Sequence, residues 1–366
     1  MVRVYRYRLK PTPAQERALD ETMRLLRQLY NAALQERRDA YRLQGRTIGL
    51  YEQKREIKEV RSVCPEYAAI HTHLLQDVII RLDRAYRAFF RRCKAGEKPG
   101  FPRFKGRGRY RTFTFQDAKN RNGARIVAGG KRVELVGIGK VKFKQHRPLE
   151  GRIKQVSVSL DGDGHWYVAF VCDEVAAKPL DKTGASVGID VGIATFAALS
   201  DGVMVDNPRF YETAQPSIRR VARIVARRKR GSKRRRKASV FLQKQHARVQ
   251  RQRKQFHHET AKGIVQGYDS IAVEELNVKG LAGGMLAKQV QDAGWAQFVT
   301  ILSHKAESAG RDLHRVNASG TSQQCSACGA MVRKGLHVRV HRCPGCGYTE
   351  DRDINAARNI LFRART

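Results

Sequence analysis

Cys325 and Cys328, then Cys343 and Cys346, form two CxxC pairs separated by residues 329–342. A glycine follows each pair, Gly329 and Gly347, and allows the tight turn that aims both sulfurs at one ion. Four thiolates with no open position suit structural, tetrahedral zinc, so this stretch is expected to fold around a metal as a zinc ribbon. His337 and His341 lie in the intervening loop and are read as bystanders, because the sulfurs already fill the coordination sphere. Cys64, Cys93 and Cys172 are isolated and are expected to be buried or neutral thiols. Seven cysteines are an odd count, which argues against a disulfide framework.

Three carboxylates sit in short motifs around this quartet. Asp190 ends the β-branched run of residues 187–190 and is followed by Gly192. Glu274 follows Ser270-Ile271-Ala272-Val273, an apolar strand that would pair beside the first. Asp353 begins an Ala-rich helix, residues 354–361, whose small residues allow close packing on a sheet. Two strands and a helix can thus converge on one site, which is the plan of an RNase H-like fold. Neighbours along a strand point to opposite faces, so only one of Glu274 and Glu275 can face that site. Asp351 is a candidate cap for the helix. Three rigid acids can gather two divalent cations, and two cations can hydrolyse a phosphodiester.

The charge says what such a site would act on. Lys and Arg number 72 against 34 Asp and Glu, a formal net charge of +38 over 366 residues. Such an excess repels itself unless a polyanion neutralises it, and nucleic acid is the obvious polyanion. An anionic membrane is the alternative, but no amphipathic anchor is seen and no apolar run approaches the ~20 residues of a span. The N-terminus lacks the apolar core of a signal peptide, so an intracellular protein is expected.

Along the chain, Val2–Leu9 alternates like a strand. Thr12, Pro13 and Gln15 read as a capping box opening a helix with Leu19, Met23, Leu26, Tyr30, Ala33 and Leu34 on one face. Further helices are expected near 50–60 and over 72–93, where Leu75, Ile79, Leu82, Tyr86, Phe89 and Phe90 form a stripe better explained by core packing than by base stacking. Residues 97–115 interleave cations with rings, including Arg103, Phe104 and Lys105. Cations can meet phosphates while rings stack on bases, although a strand leading from a loop accounts for half of the rings. Strands are expected at 132–136, 140–144, 156–160 and 166–172, the last two joined by a turn at 161–164. With the first strand they could close a small barrel that carries the helices as an insertion. Residues 175–185 read as a linker. Over 217–263 two helices are expected around a break at Gly231-Ser232, flanked by Arg227, Arg228, Lys229, Arg230 and by Lys233, Arg234, Arg235, Arg236 as a nucleic-acid face.

At these residues the chain resembles the TnpB family, nucleases encoded by insertion sequences and similar to type V CRISPR effectors. Residues 10–15, 100–105, 188–192, 273–278, 321–325 and 353–357 carry the likeness in order along essentially the whole length. The resemblance implies Asp190, Glu274 and Asp353 as the RuvC acids. Asp190 would bridge two Mg²⁺ ions and the other two would complete their shells. It implies a guide RNA derived from the transposon end and paired with one strand of double-stranded target DNA beside a short flanking motif. The expected architecture is mixed α/β and α+β. Residues 1–10 and 106–180 form the barrel and 11–105 the helical insertion. Residues 186–320 and 348–366 form the nuclease domain and 321–347 the zinc ribbon. A monomer in a prokaryotic cytoplasm, associated with the nucleoid, is expected. An RNA-guided repressor, a strand-transferring transposase and a junction nuclease are the rival readings.

Overall fold

Tyr5, Tyr7 and Leu9 alternate with Arg6, Arg8 and Lys10, and in the computed structural model this run is β1 (Arg3–Lys10), with the apolar set buried. The structure describes residues 1–106, 108–118, 122–127, 129–317, 319–335 and 337–365. Two units are seen, Met1–Ala176 and Ala177–Thr366.

In the first unit, Thr12 and Gln15 form a reciprocal capping box at the start of α1 (Pro13–Gln44), with Pro13 in the first turn. The six apolar residues of its predicted face are all buried. The helical insertion continues through α2 (Leu50–Val63), α3 (Pro65–Ala68) and α4 (Thr72–Lys94). Leu75, Ile79 and Leu82 of α4 are buried, whereas Tyr86 and Phe89 are half-covered and Phe90 is exposed. The chain then builds β2 (Thr112–Phe115), β3 (Ala124–Val127), β4 (Arg132–Leu135), β5 (Gly139–Lys144), β6 (Arg152–Leu160) and β7 (Trp166–Asp173). These join β1 in an antiparallel sheet of order β2-β6-β7-β1-β5-β4-β3. Among the described residues β2 and β3 share no ladder, so the expected barrel is a nearly closed sheet. Its edges come close at one end, where a Cβ on Gly123 would lie 2.6 Å from the Phe115 ring. Cys172 is buried in this core, which pushes its thiol up to about 11. Cys93 is exposed and Cys64 half-buried, so of the three isolated cysteines Cys172 is the buried one. Val175, expected in a linker, is buried, and its N–H donates to the Met1 carbonyl.

The second unit begins with the rest of that expected linker, which is pinned down. Lys178 and Leu180 donate to the carbonyls of Ser308 and Ala309, and Asp269 accepts from the backbone of Thr183 and Gly184. Next come β8 (Ser186–Val191), β9 (Thr195–Leu199), β10 (Met204–Asp206), α5 (Phe210–Arg227) and α6 (Lys233–Gly267). The predicted break falls between the two helices, with the Ser232 hydroxyl capping α6. The unit continues with β11 (Ser270–Glu275), α7 (Val278–Leu281), α8 (Ala287–Ala293), α9 (Trp295–Ala309), β12 (Asp312–Asn317), β13 (Val340–Arg342), β14 (Thr349–Asp351) and α10 (Arg352–Arg365). The main sheet has order β10-β9-β8-β11-β12, with β8, β11 and β12 parallel and β9 and β10 antiparallel.

Both faces of that sheet are covered. Val187, Ile189, Ile271 and Val273 pack with Ala261 and Ile264 of α6 and Phe298 and Leu302 of α9. The alternate residues face α10, where Ala272 packs with Ile360. Gly188 is the tightest point: a Cβ there would lie 2.0 Å from the Ala357 carbonyl and 2.7 Å from the Leu361 nitrogen. Both are backbone atoms, so α10 must move to admit even a methyl. Gly188→Ala is predicted to destabilise this unit by about 3 kcal/mol, read as a lower urea midpoint.

Candidate active site and metal centre

Strand parity brings two of the three acids to one face. Asp190 lies two residues after Gly188, and Glu274 two after Ala272, so both point to the α10 side of the sheet. Parallel pairing of Ile189 with Val273 sets the acids side by side at the carboxyl ends of β8 and β11. Glu275 has the opposite parity and is exposed. Asp353 stands in the first turn of α10, where Asp351 Oδ1 accepts from the N–H groups of Asp353 and Ile354 and caps the helix. Its Oδ2 reaches to 4.0 Å from where a Cβ on Gly192 would be, two residues beyond Asp190.

Their electrostatics reflect that closeness. Burial, then the charges of Glu274 and Asp353, push the Asp190 carboxyl well above its ordinary value, and Arg352 only partly opposes this. Glu274 is also raised, first by burial, against a hydrogen bond from the Thr321 hydroxyl and the charge of Arg363. That hydroxyl donates to Glu274 Oε1 at 2.5 Å. Asp353 is buried, with Arg352 Nε 3.3 Å from Oδ1 and the half-exposed Arg339 Nη1 3.6 Å from Oδ2. The sequence reading gave Arg339 and Arg352 no role and took Thr321 only as the start of the 321–325 motif, not as a partner of Glu274. The adjacency of Arg352 to Asp353 was a usable signal, whereas nothing local ties Thr321 or Arg339 to the acids.

The cysteine quartet forms a second group. Cys325 and Cys346 sulfurs are 3.7 Å apart, Cys328 and Cys343 sulfurs 3.6 Å, and all four lie within 4.8 Å of one another. Zn–S bonds of about 2.3 Å in a tetrahedron place sulfurs ~3.8 Å apart, so the group could bind zinc. Backbone N–H groups of Cys346 and Gly345 favour the Cys343 thiolate, lowering it to about 7. His341 is outside the quartet but fully buried, its Nδ1 against Lys334 Nζ.

The predicted cationic residues divide by role. Arg228 Nη1 donates to the Arg234 carbonyl and Arg235 Nη1 to the Arg228 carbonyl, closing the turn between α5 and α6. Arg227, Lys229, Arg230, Lys233, Arg234 and Arg236 are exposed around it. In the first unit, Asn31 clamps the Lys105 backbone through both its N–H and its carbonyl. Arg103 and Phe104 are exposed, with Arg38 5.2 Å over the Phe104 ring.

Residues 295–360 match a family model described as "Cas12f1-like, TNB domain", and residues 155–284 one described as "Probable transposase". Residues 1–46 match a "Helix-turn-helix domain", although here they hold β1 and the single helix α1. The chain is 31% identical to a Streptomyces pristinaespiralis protein named "Putative RNA-guided DNA endonuclease", over 98% of this chain and 88% of that one. It is 27% identical to "TnpB-like protein L770" of Acanthamoeba polyphaga mimivirus, over 60% of this chain and 45% of that one. A solved structure of the mini-RNA-guided endonuclease CRISPR-Cas_phi3 aligns over all of this chain and 92% of its own, with a TM-score of 0.52 at 10% identity, a likeness of fold alone. With 31% identity to the Streptomyces protein over nearly the whole chain, and TnpB-like proteins among its relatives, the chain belongs to the TnpB family.

Proposed function

We propose that this chain is an RNA-guided DNA endonuclease that cuts target DNA at a RuvC-type, RNase H-like site formed by Asp190, Glu274 and Asp353, with Mg²⁺ as its cation. The observation that carries this reading is that Asp190 and Glu274 share one face at paired strand ends, with Asp353 in the first turn of the helix packed on that face, and that Glu274 and Asp353 oppose ionisation of Asp190. Like charges so placed favour a cation between them, and an all-oxygen donor set suits Mg²⁺. Two bound ions would supply an activated water and stabilise the leaving 3′ oxygen. Asp190, which feels the charges of both other acids, would hold the cations together with Glu274 and Asp353. Arg339, half-exposed and 3.6 Å from Asp353 Oδ2, would pair with a phosphate of the scissile strand once a cation holds Asp353. The four cysteines would hold one zinc in a purely structural role.

The remaining chain would hold nucleic acid. A charge of +38 needs a polyanion, and the exposed cations at the α5–α6 turn would line a guide–target heteroduplex. Arg103, Phe104 and Lys105 would contact nucleic acid through the first unit. The guide would derive from the transposon end, and one protein copy would act in the bacterial or archaeal cytoplasm.

Asp190→Asn is predicted to lower plasmid cleavage by about 10³-fold, or ~4 kcal/mol of barrier, while leaving RNA-guided binding in a gel-shift assay intact. Cation-free stability should move the other way. A raised carboxyl pKa means that the wild type loses stability as pH rises from the unfolded carboxyl range through the elevated folded value. In EDTA, Asp190→Asn should therefore melt about 2–4 °C higher than wild type at pH 8, with no gain near pH 4. Adding Mg²⁺ should raise the wild-type Tm but not the variant's. Cys328→Ser should cut zinc measured by plasma emission from one per chain to well below one-half, and expose residues 321–347 to protease.

A further inference from the structure

Thr321 lies in the strap between β12 and the cysteine quartet, and it is 3% exposed. The strap is held by one face of α10. Asn359 Nδ2 donates to the carbonyls of Thr321 and Gln324 at 2.8 and 2.6 Å. One turn earlier, Asn355 donates to the Gln324 carbonyl and accepts from the Ser326 N–H, next to Cys325. One turn later, Arg363 donates to the carbonyls of Asn317 and Ser319. Spacing of four residues keeps all three side chains on one face of a helix whose first turn carries Asp353. From this ladder the Thr321 hydroxyl reaches across to Glu274 at 2.5 Å.

Glu274 needs such a partner. It sits beside Asp190 at the end of β11, where a carboxylate held by no hydrogen bond would turn away from its acidic neighbour. Building on the acid-site reading above, we propose that Thr321 is a positioning residue: its hydroxyl holds Glu274 in place before a cation arrives, and the Asn355–Asn359–Arg363 ladder ties that hold to the helix carrying Asp353. The root of the cysteine quartet and the acid site are then one hydrogen-bonded assembly. Partners that orient metal-binding groups are typically worth 10–100-fold in metal affinity.

The test uses full-length protein with its zinc content measured, and Mn²⁺ as the probe, titrated by electron paramagnetic resonance. Thr321→Val replaces the hydroxyl by a methyl of like size, Thr321→Ala removes both, and Thr321→Ser keeps the hydroxyl. Val and Ala are expected to weaken Mn²⁺ binding about tenfold with zinc unchanged, and Ser to stay within about threefold of wild type. On nucleic acid, kcat should fall with KM unchanged. Wild-type Mn²⁺ affinity in Val and Ala, a loss in Ser equal to theirs, or loss of zinc and folding in both Val and Ala would overturn the proposal, the last by showing a merely structural role. Asp190→Ala runs beside them. If it also leaves Mn²⁺ affinity unchanged, the acid site itself is misassigned; if it abolishes binding while Val does not, only the role of Thr321 fails.

Discussion

Gly188 leaves a gap in β8 that the backbone of α10 fills, with the Ala357 carbonyl where a side chain would begin. This contact sets the height of α10 over the sheet, and hence how far Asp353 lies from Asp190. A side chain at position 188 would act as a spacer and lift α10, and Asp353 with it, away from the strand ends. Ala356 and Ala357, both buried, serve the same closeness from the helix side. The acid cluster is thus first a packing result and only then an electrostatic one.

Packing forces together groups that repel. Asp190 is held well above its ordinary carboxyl range by burial and two acid neighbours, a cost the fold bears at neutral pH. The surroundings restrain the acids without cancelling them. Thr321 holds Glu274, Asp351 caps the helix bearing Asp353, and Arg352 and Arg339 approach Asp353 from the quartet side. Arg352 also ties into that side, its N–H donating to the Arg339 carbonyl and its Nη1 to Val338. The segment carrying the cysteine quartet and the acids therefore share residues, which couples the packing of that segment to the position of Asp353.

Local pattern was readable where one residue's neighbours decide its fate. The capping box at Thr12, the break at Gly231-Ser232 and the hairpin between β6 and β7 are all short-range devices, and all appear. The choice between Glu274 and Glu275 was not readable from strand alternation alone, because it depends on which face α10 covers. Among residues 97–115, Tyr110, Phe113 and Phe115 are buried while Phe101 and Phe104 are exposed; strand alternation starts only at Thr112, so spacing could not sort them. α9 had a usable stripe, Trp295, Phe298, Leu302 and Ala306, that the reading passed over. β12 had almost none, since an edge strand buries only Val316 of its six residues. The ladder of Asn355, Asn359 and Arg363 was invisible for a different reason: its partners lie 29–46 residues away in sequence. Alternation likewise cannot say whether the outer strands of a sheet meet, which is why a closed barrel was expected.

The central claim is that Asp190, Glu274 and Asp353 share divalent cations. Anomalous diffraction at the manganese edge, from crystals of the protein with guide RNA and target DNA grown in Mn²⁺, tests it most directly. The account predicts two manganese peaks beside Asp190, with Glu274 and Asp353 each ligating one of them. Manganese bound elsewhere on the protein, with these three carboxylates ligating none of it, would contradict it.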